Sequence, residues 1–443
     1  MSKRWEFVFY VSVGTGMAFA ASSFTMIAGL FDVVTGPLVL VAIALAAGLC
    51  FIISGSIGEL ASMYPSAPGV RTYLKAAFGN RTSLFLVHLY LIFIVLMAGA
   101  ESYVFALVMG AIWPRLSSLT VVIGLLICAV GANLAGLALP RWLEIVATGL
   151  LVSMVVGFGA FGLVTSPVAW SDALSPRGTS EWSWVPAAAA MAVFLFVGFE
   201  WVTPLGLSPK SYQRRIPLSM PVAIAVALIA YASFAVGLGA QLPPERIAGT
   251  LIPQTAYLAR LIGHSGVYWA GAISVLATFS TFNAGVMGSA RLIQALAREG
   301  NLPQPLAMIS LETGAPVGAV LLLGGLSGLS AVVVIVGDLA LAAAVVGSAI
   351  VCCVYTAFML AVIRLRTMQA ERRRTYRTHI PLSIQWAVVV GLPLMALQSL
   401  LAQPCKPYQP ALGMVGCVIV AMGLTWMSVT LAARQHEGYR VPT

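Results

Sequence analysis

Two stretches decide the fold of this chain: YVSVGTGMAFA at residues 10–20 and FLFVGFEWVTPLG at residues 194–206. Each lies within a long apolar segment and contains glycine, and the second also contains proline. Unwound backbone in mid-membrane frees N–H and C=O groups that can hold a solute. Glycine also serves close helix packing, and the chain has 42 glycines, so one such motif means little. Two interruptions five spans apart predict a pair of broken helices.

The composition makes lipid the solvent of most of this chain. Of its 443 residues, 60% are hydrophobic and 9% are Asp, Glu, Lys or Arg. In a soluble domain, roughly a quarter of all residues are charged. The net charge of +10 could suggest a nucleic-acid partner. However, the basic residues stand singly or in short runs, without a basic face interleaved with aromatic residues. We therefore expect a membrane protein that contacts lipid and binds no nucleic acid.

Apolar stretches long enough to cross a membrane, about 20 residues each, recur along the whole chain. The weakest boundaries are the short turn between spans four and five and the separation of spans nine and ten at Gly337-Asp338. No gap between spans is long enough to build a soluble core. We predict an all-α membrane protein with twelve transmembrane helices, at residues 7–30, 37–58, 83–111, 118–138, 143–166, 185–206, 217–240, 266–290, 315–336, 339–363, 382–402 and 409–432.

The basic residues predict the orientation of these spans, because Lys and Arg gather in cytoplasmic loops. With the N-terminus inside, 19 of the 24 basic residues fall on the cytoplasmic side. The other side holds Arg115, Arg177, Arg246, Arg260 and Lys406. A miscounted topology would scramble this division. We therefore expect a multi-pass protein of the cell inner (cytoplasmic) membrane with both termini in the cytoplasm.

Three acids and no Lys or Arg lie within the predicted spans. Glu144 is one residue into span five, and we expect its side chain to reach the membrane surface. Glu101 and Glu200 lie deeper, where a charge costs roughly 2.5–3.5 kcal/mol on insertion scales, so such residues usually serve a substrate or a proton. We predict that Glu200 and Glu101 act in gating or proton coupling. The alternative is a structural carboxyl that is hydrogen-bonded to a neighbouring helix.

Glycine motifs stand in the first and sixth predicted spans, Val13-Gly14-Thr15-Gly16-Met17 and Phe196-Val197-Gly198-Phe199-Glu200. They resemble the first-helix break and the sixth-helix Gly-Phe-Glu of the amino acid, polyamine and organocation transporter superfamily. The most specific match is the signature of the eighth helix, ALAREGNLP at residues 295–303. The chain thus looks like a bacterial amino acid permease of this superfamily.

The resemblance implies the 5+5 inverted-repeat fold of the sodium-coupled leucine transporter, with helices one and six broken. The first repeat would span residues 1–166, the second residues 185–363, and two peripheral helices residues 382–432. A substrate carboxylate would meet the backbone N–H groups of Gly14, Thr15 and Gly16, because the N-terminus of a half-helix favours negative charge. The substrate amine would face carbonyls at Val13 and around Phe194, Val197 and Gly198, and Phe194 matches the aromatic residue that gates the site.

The coupling ion is open at this stage. Span five lacks the lysine that stands in for sodium in some proton-coupled members. Thr278, Ser280 and Thr281 in span eight could supply hydroxyls to a sodium site, although such hydroxyls more often bond to their own backbone. Acids without an intramembrane base favour a proton over sodium. We predict no other cofactor and no metal site.

These patterns predict secondary active transport of an amino acid or related amine by alternating access, coupled to protons. One alternative is an exchanger that trades a cationic amino acid or polyamine for its product. Another class is a membrane-embedded sensor or enzyme, but the sequence shows neither a soluble output domain nor a His or Asp cluster. We therefore predict no catalytic residue. A monomer and a homodimer are both compatible with the sequence.

Overall fold

The computed structural model describes residues 3–65, 69–136, 140–166, 179–206, 210–402 and 409–438. All regular elements in these ranges are helical, which confirms the all-α prediction. The first half contains α1 (Lys3–Ala18), α2 (Ala21–Val33), α3 (Pro37–Met63), α4 (Gly69–Ile112), α5 (Ser118–Leu134) and α6 (Arg141–Val164).

The second half begins with α7 (Val185–Ala192), which continues as two 3-10 helices, Val193–Phe196 and Phe199–Leu205. It goes on with α8 (Ile216–Gln241), α9 (Pro244–Ile247), α10 (Pro253–Ile262), α11 (Ser265–Arg298), α12 (Val317–Gly337), α13 (Ala340–Met368), α14 (Leu382–Leu401) and α15 (Gln409–Gly438).

Ten helical segments in the described residues are long and apolar enough to cross a membrane, and α1 with α2 forms one further bent pair. The helix α5 is apolar but only 17 residues long. The count of twelve spans therefore stays a prediction. Spans nine and ten are separate, as predicted, because Asp338 adopts left-handed backbone geometry (φ 51°) directly after α12.

The first span is broken, as predicted, but its break lies beyond the predicted glycines. The helix α1 continues through Gly14 and Gly16 to Ala18, and the chain bends by 56° before α2. Here glycine serves close packing, since a Cβ on Gly14 would lie 3.1 Å from the Ala223 Cβ. At the real break, side chains replace the lost helical hydrogen bonds: Thr281 donates to the Phe19 carbonyl at 2.7 Å.

The sixth span breaks at the predicted place. Val197 is extended and Gly198 has a φ of 131°, a region that favours glycine. A Cβ on Gly198 would lie 2.7 Å from the Met17 carbonyl carbon and 2.8 Å from the Ala18 nitrogen. Gly198 therefore lets the two breaks touch, backbone against backbone, at the centre of the bundle.

The remaining helices hold this crossing in place. The helix α13 packs along α4, while α3, α6 and α1 pack against α8. The alanines at 187–190 are fully buried, which lets α7 approach α3 and α14 closely. The helix α15 lies at the outside, against α4, α13 and α14, and is mostly exposed. The division into repeats at residues 1–166 and 185–363, with peripheral helices at 382–432, stays a prediction.

Candidate functional site

A cavity of about 100 Å³ lies where the two broken helices cross. Phe194, Val197 and Gly198, three of the predicted substrate-binding residues, line it together with the segment that joins α1 to α2. The walls from α4, α11, α12 and Trp201 are mainly apolar. Among the described residues, the hydroxyl and carboxyl side chains at its surface are those of Ser22, Ser23, Glu101, Thr281 and Ser327.

The other predicted substrate-binding residues lie away from this cavity. Val13 is a buried core residue, and Gly14 packs against α8. Thr15 is buried, and its hydroxyl has no hydrogen-bond partner among the described residues. Gly16 faces Glu144, Thr148 and Ser280. The helical backbone through these residues leaves no unwound N–H groups there, so the structure moves the candidate anion position to the start of α2.

Glu101 of α4 occupies that position. Its side chain is 2% exposed, and its two oxygens accept hydrogen bonds from the N–H groups of Ala21 and Ser22, both at 2.8 Å. The Thr278 hydroxyl donates a third hydrogen bond at 2.6 Å. A negative charge at the N-terminus of a helix is favoured by the helix dipole and by the unpaired N–H groups. Glu101 thus joins α4 and α11 to the break of the first span.

Glu200 caps the second break from within the same segment. Its carboxylate accepts hydrogen bonds from the Gly198 N–H at 3.0 Å and from the hydroxyls of Tyr90 and Tyr355, both at 2.9 Å. The two tyrosines come from α4 and α13. Glu200 does not line the central cavity. Its described partners are neutral donors, so it ties three elements together without a basic side chain.

Glu144 is buried between helices instead of extending outward from the end of its span, which corrects the sequence-based interpretation. It is 5% exposed, and it accepts a hydrogen bond from the Ser280 hydroxyl at 2.5 Å. It lies where α6 meets α1 and α11, because Gly16 of α1 leaves room for its carboxylate. A residue near the end of a span in sequence can be buried when helices cross over it, and no sequence pattern marks that position.

The three hydroxyls predicted for a sodium site do not converge. Thr278 donates to Glu101, Ser280 to Glu144 and Thr281 to the Phe19 carbonyl. Ser280 lies on a different side of the helix, whereas Thr278 and Thr281 share a face but donate to different acceptors. Among the described residues, no group of three or more His, Cys, Asp or Glu side chains is arranged as metal ligands would be.

A second cavity of about 360 Å³ lies between Glu200 and the end of α11, where it is lined by Arg291 and Arg298. Trp201 lines both cavities and separates them. Its ring lies on Gly288 of α11, where a Cβ would collide with it. Trp201 was not among the residues predicted from the sequence, although it directly follows the Gly-Phe-Glu motif.

Ion pairs lie at one end of the bundle, which we call the basic-loop face: Glu6 with Arg215, Glu59 with Arg366 and Arg374, and Glu299 with Arg71 and Lys75. Burial raises the pKa of Glu299, but the Arg71 guanidinium and the Lys75 ammonium outweigh it and hold this pKa below its ordinary value. These pairs connect α1, α3 and α11 to other helices.

Solved structures define the class of this fold. A manganese transporter from Eremococcus coleocola, crystallised as a point mutant, superimposes with a TM-score of 0.62 at 13% identity, over 97% of this chain and 95% of that one. A sodium-coupled sialic acid symporter gives a TM-score of 0.55 at 13% identity, over 90% of both chains. The chain therefore has the fold of the leucine-transporter type of membrane transporter.

Sequence comparison gives the family. The amino acid permease family matches residues 7–432, and the chain belongs to it. The Bacillus subtilis amino acid permease YecA is 26% identical over 289 residues, which are 63% of this chain and 66% of that permease. The aromatic amino acid transport protein AroP of Corynebacterium glutamicum is 26% identical over 326 residues, 70% of this chain and 69% of that protein.

Proposed function

We propose that the protein is a secondary transporter that carries an amino acid or related amine across the cytoplasmic membrane by alternating access. The observation that carries this proposal is the cavity at the crossing of the two breaks, lined by Glu101 and closed toward the basic-loop face by Trp201. Phe93, Phe194 and Phe282 on its walls suit an apolar solute. Family membership, and a relative named for aromatic amino acids, agree with such a substrate.

We place the basic-loop face in the cytoplasm, because basic loops stay on that side. The second cavity then opens inward, and Trp201 separates the substrate from it. Movement of Trp201 off Gly288 would release the substrate into the cytoplasm. The ion pairs at this face would have to break or rearrange as the helices move.

We assign the coupling proton to Glu144. Glu101 and Glu200 each accept hydrogen bonds from backbone N–H groups, which can only donate and so cannot exchange donor and acceptor roles with a carboxyl that takes up a proton. Glu144 accepts from the Ser280 hydroxyl, which can donate to a carboxylate or accept from a carboxylic acid. Glu144 therefore keeps its hydrogen bond in both protonation states, and it lies where α6 contacts α1 and α11.

Uptake into proteoliposomes tests this proposal. Purified protein is reconstituted and given a panel of radiolabelled amino acids and amines, with the outside at pH 5.5 or 7.5 and with or without sodium. We expect accumulation of at least one compound, faster at pH 5.5, abolished by a protonophore and independent of sodium. The Glu144→Gln variant should bind the substrate but lose the pH dependence.

Matched variants distinguish loss of uptake through a blocked cavity from loss of uptake through general damage to the structure. Gly285→Leu places a side chain in the cavity, where the nearest atom to a new Cβ is the Met17 Cε at 3.8 Å, and should abolish uptake. Gly325→Leu makes the same change on the exposed side of α12 and should not. No accumulation of any amino acid or amine by folded protein would refute the proposal. Stimulation by internal substrate, without any effect of pH, would favour the exchanger instead.

A further inference from the structure

We infer that the Glu101 carboxylate fills the position that a ligand's carboxylate would take, and that the cavity accepts apolar primary amines without a free carboxylate. This inference rests on the proposed function and narrows its substrate class. It comes from the hydrogen bonds at the start of α2 and from the charge of the cavity wall.

No N–H group at the start of α2 is left for a ligand carboxylate. A helix begins with four N–H groups that lack helical partners, here those of residues 20–23. Ala21 and Ser22 donate to Glu101, each at 2.8 Å. Ala20 donates to the Ser23 hydroxyl at 3.2 Å, and Ser23 donates to the Ala20 carbonyl at 3.0 Å. A ligand carboxylate could bind here only by displacing Glu101.

The contacts of Glu101 are those of an acceptor, because three donors point at its two side-chain oxygens. The Ala21 and Ser22 N–H groups can only donate, and they point at different carboxylate oxygens. A carboxylate offers about four acceptor positions, and three are used by Ala21, Ser22 and Thr278. One position on the oxygen that faces Ser22 remains, and an ammonium group is the donor that suits a buried, negatively charged acceptor.

The rest of the cavity supports this interpretation. Among the described residues that line it, Glu101 is the one charged side chain, so nothing basic is present there to pair with a second carboxylate. An α-amino acid would bring its negative charge next to that of Glu101, and like charges in a low-dielectric site repel strongly. An amine on an apolar body would instead compensate Glu101 and place that body against Phe93, Phe194 and Phe282.

Matched ligand pairs test the inference on the purified full-length protein in detergent. The pairs are 2-phenylethylamine with phenylalanine, and 3-methylbutylamine with leucine; phenylalaninamide serves as an amino acid whose carboxylate is neutralised. A ligand that binds only the folded state raises the melting temperature. We expect stabilisation by the amines and the amide, with at least tenfold weaker binding of the amino acids.

Variants then identify the residues that bind the amine. Glu101→Gln should weaken amine binding at least tenfold and reduce the preference for the amine over the amino acid. Gly285→Leu should abolish binding of both, and Gly325→Leu should leave both unchanged. The preference of wild type for the amine over the matched amino acid tests the inference by itself, even if Glu101→Gln does not fold.

The outcomes distinguish this inference from the proposed function. If the amino acids bind as tightly as the matched amines, or more tightly, the inference is wrong while the transport proposal stands. If neither member of any pair binds to folded protein or enters proteoliposomes, both are wrong. A preference for the amines that Glu101→Gln leaves unchanged would also overturn the role given to Glu101.

Discussion

Carboxylates in the middle of this bundle and carboxylates at its basic-loop face are compensated by different groups. Glu101 and Glu200 accept hydrogen bonds from backbone N–H groups and hydroxyls, and Glu144 from a hydroxyl. Glu59 and Glu299 instead pair with arginine. Placing Lys or Arg at the membrane centre is costly, whereas at the face Arg215, Arg366 and Arg374 stay partly exposed and only Arg71 among the described paired arginines is fully buried. The middle therefore keeps negative charge available for a ligand or a proton.

This difference in the partners of the carboxylates also determines which contacts can change when helices move. Backbone donors are part of the helix breaks, so the central carboxylates hold the breaks in shape. The pairs at the face join separate helices: Glu6 of α1 with Arg215, Glu59 of α3 with Arg366 of α13, and Glu299 with Arg71 of α4. Such pairs can open and close without distorting a helix. We infer that the centre is preorganised, while the ion pairs at the basic-loop face break and re-form during each transport cycle.

Glu200→Leu should have the largest effect on stability. It would leave the Gly198 N–H and the Tyr90 and Tyr355 hydroxyls buried without an acceptor, at about 1–3 kcal/mol each, or roughly 3 kcal/mol or more together. Glu200→Gln keeps one acceptor oxygen and should lose less. The measurement is the melting temperature of the detergent-solubilised protein, with the exposed Glu312→Gln as control.

Equal melting temperatures for Glu200→Leu and Glu200→Gln would show that Glu200 does not cap the break. For both variants, the loss of melting temperature relative to wild type should be the same in high and low salt, because buried hydrogen bonds are screened little by ions. A strong salt dependence would mean that this carboxylate is compensated by mobile charge, and the contrast with the face would disappear.

Glu59→Gln should have a smaller effect at the face. Glu59 is fully buried and accepts two hydrogen bonds from Arg366, at 2.9 and 2.5 Å, and one from the Thr378 N–H at 3.2 Å. Hydrogen bonds to charged groups contribute about 1.5–3 kcal/mol, so we expect a loss of about 2 kcal/mol. The measurement is again the melting temperature, together with the rate of substrate release from proteoliposomes.

A double-mutant cycle separates the pair from its surroundings. If Glu59 and Arg366 act together, the Arg366→Gln variant and the double variant should be about as stable as Glu59→Gln alone. Additive losses would show that the two side chains stabilise the protein independently. An unchanged release rate in all three variants would contradict the role of this pair as a tie between moving helices.

The broad fold could be predicted because its signals are local. Apolar stretches of fixed length mark spans, Gly198 marks the second break through its backbone freedom, and the residues of Val197-Gly198-Phe199-Glu200 lie together in sequence and in space. The structure confirms the broken first and sixth spans. The acids Glu101 and Glu200 were selected because charge in a membrane is costly, and both lie at a break.

The features that could not be predicted from the sequence depend on contacts between residues that are distant along the chain. Nothing in YVSVGTGMAFA shows that Gly14 and Gly16 pack against α8 and Glu144, or that the chain bends after Ala18. Glycine predicts both close packing and helix breaks, and only the neighbours decide between them. The burial of Glu144 and the contact of Trp201 with Gly288 likewise follow from how helices cross.

The smallest effect is expected at Glu299, and it should depend on pH in a definite direction. Its pKa is lowered in the folded protein, so its contribution to stability is fully present above the ordinary glutamate pKa of about 4.3 and is lost as the pH falls below it. Glu299 is partly exposed, so the contribution should be less than about 1 kcal/mol. Wild type should therefore melt slightly above Glu299→Gln at pH 7, and the difference should shrink as the pH falls through the lowered pKa. A difference that grows on acidification would mean that the carboxyl is stabilised in its protonated form, and Glu299 would then resemble a proton site more than a tie between α4 and the end of α11.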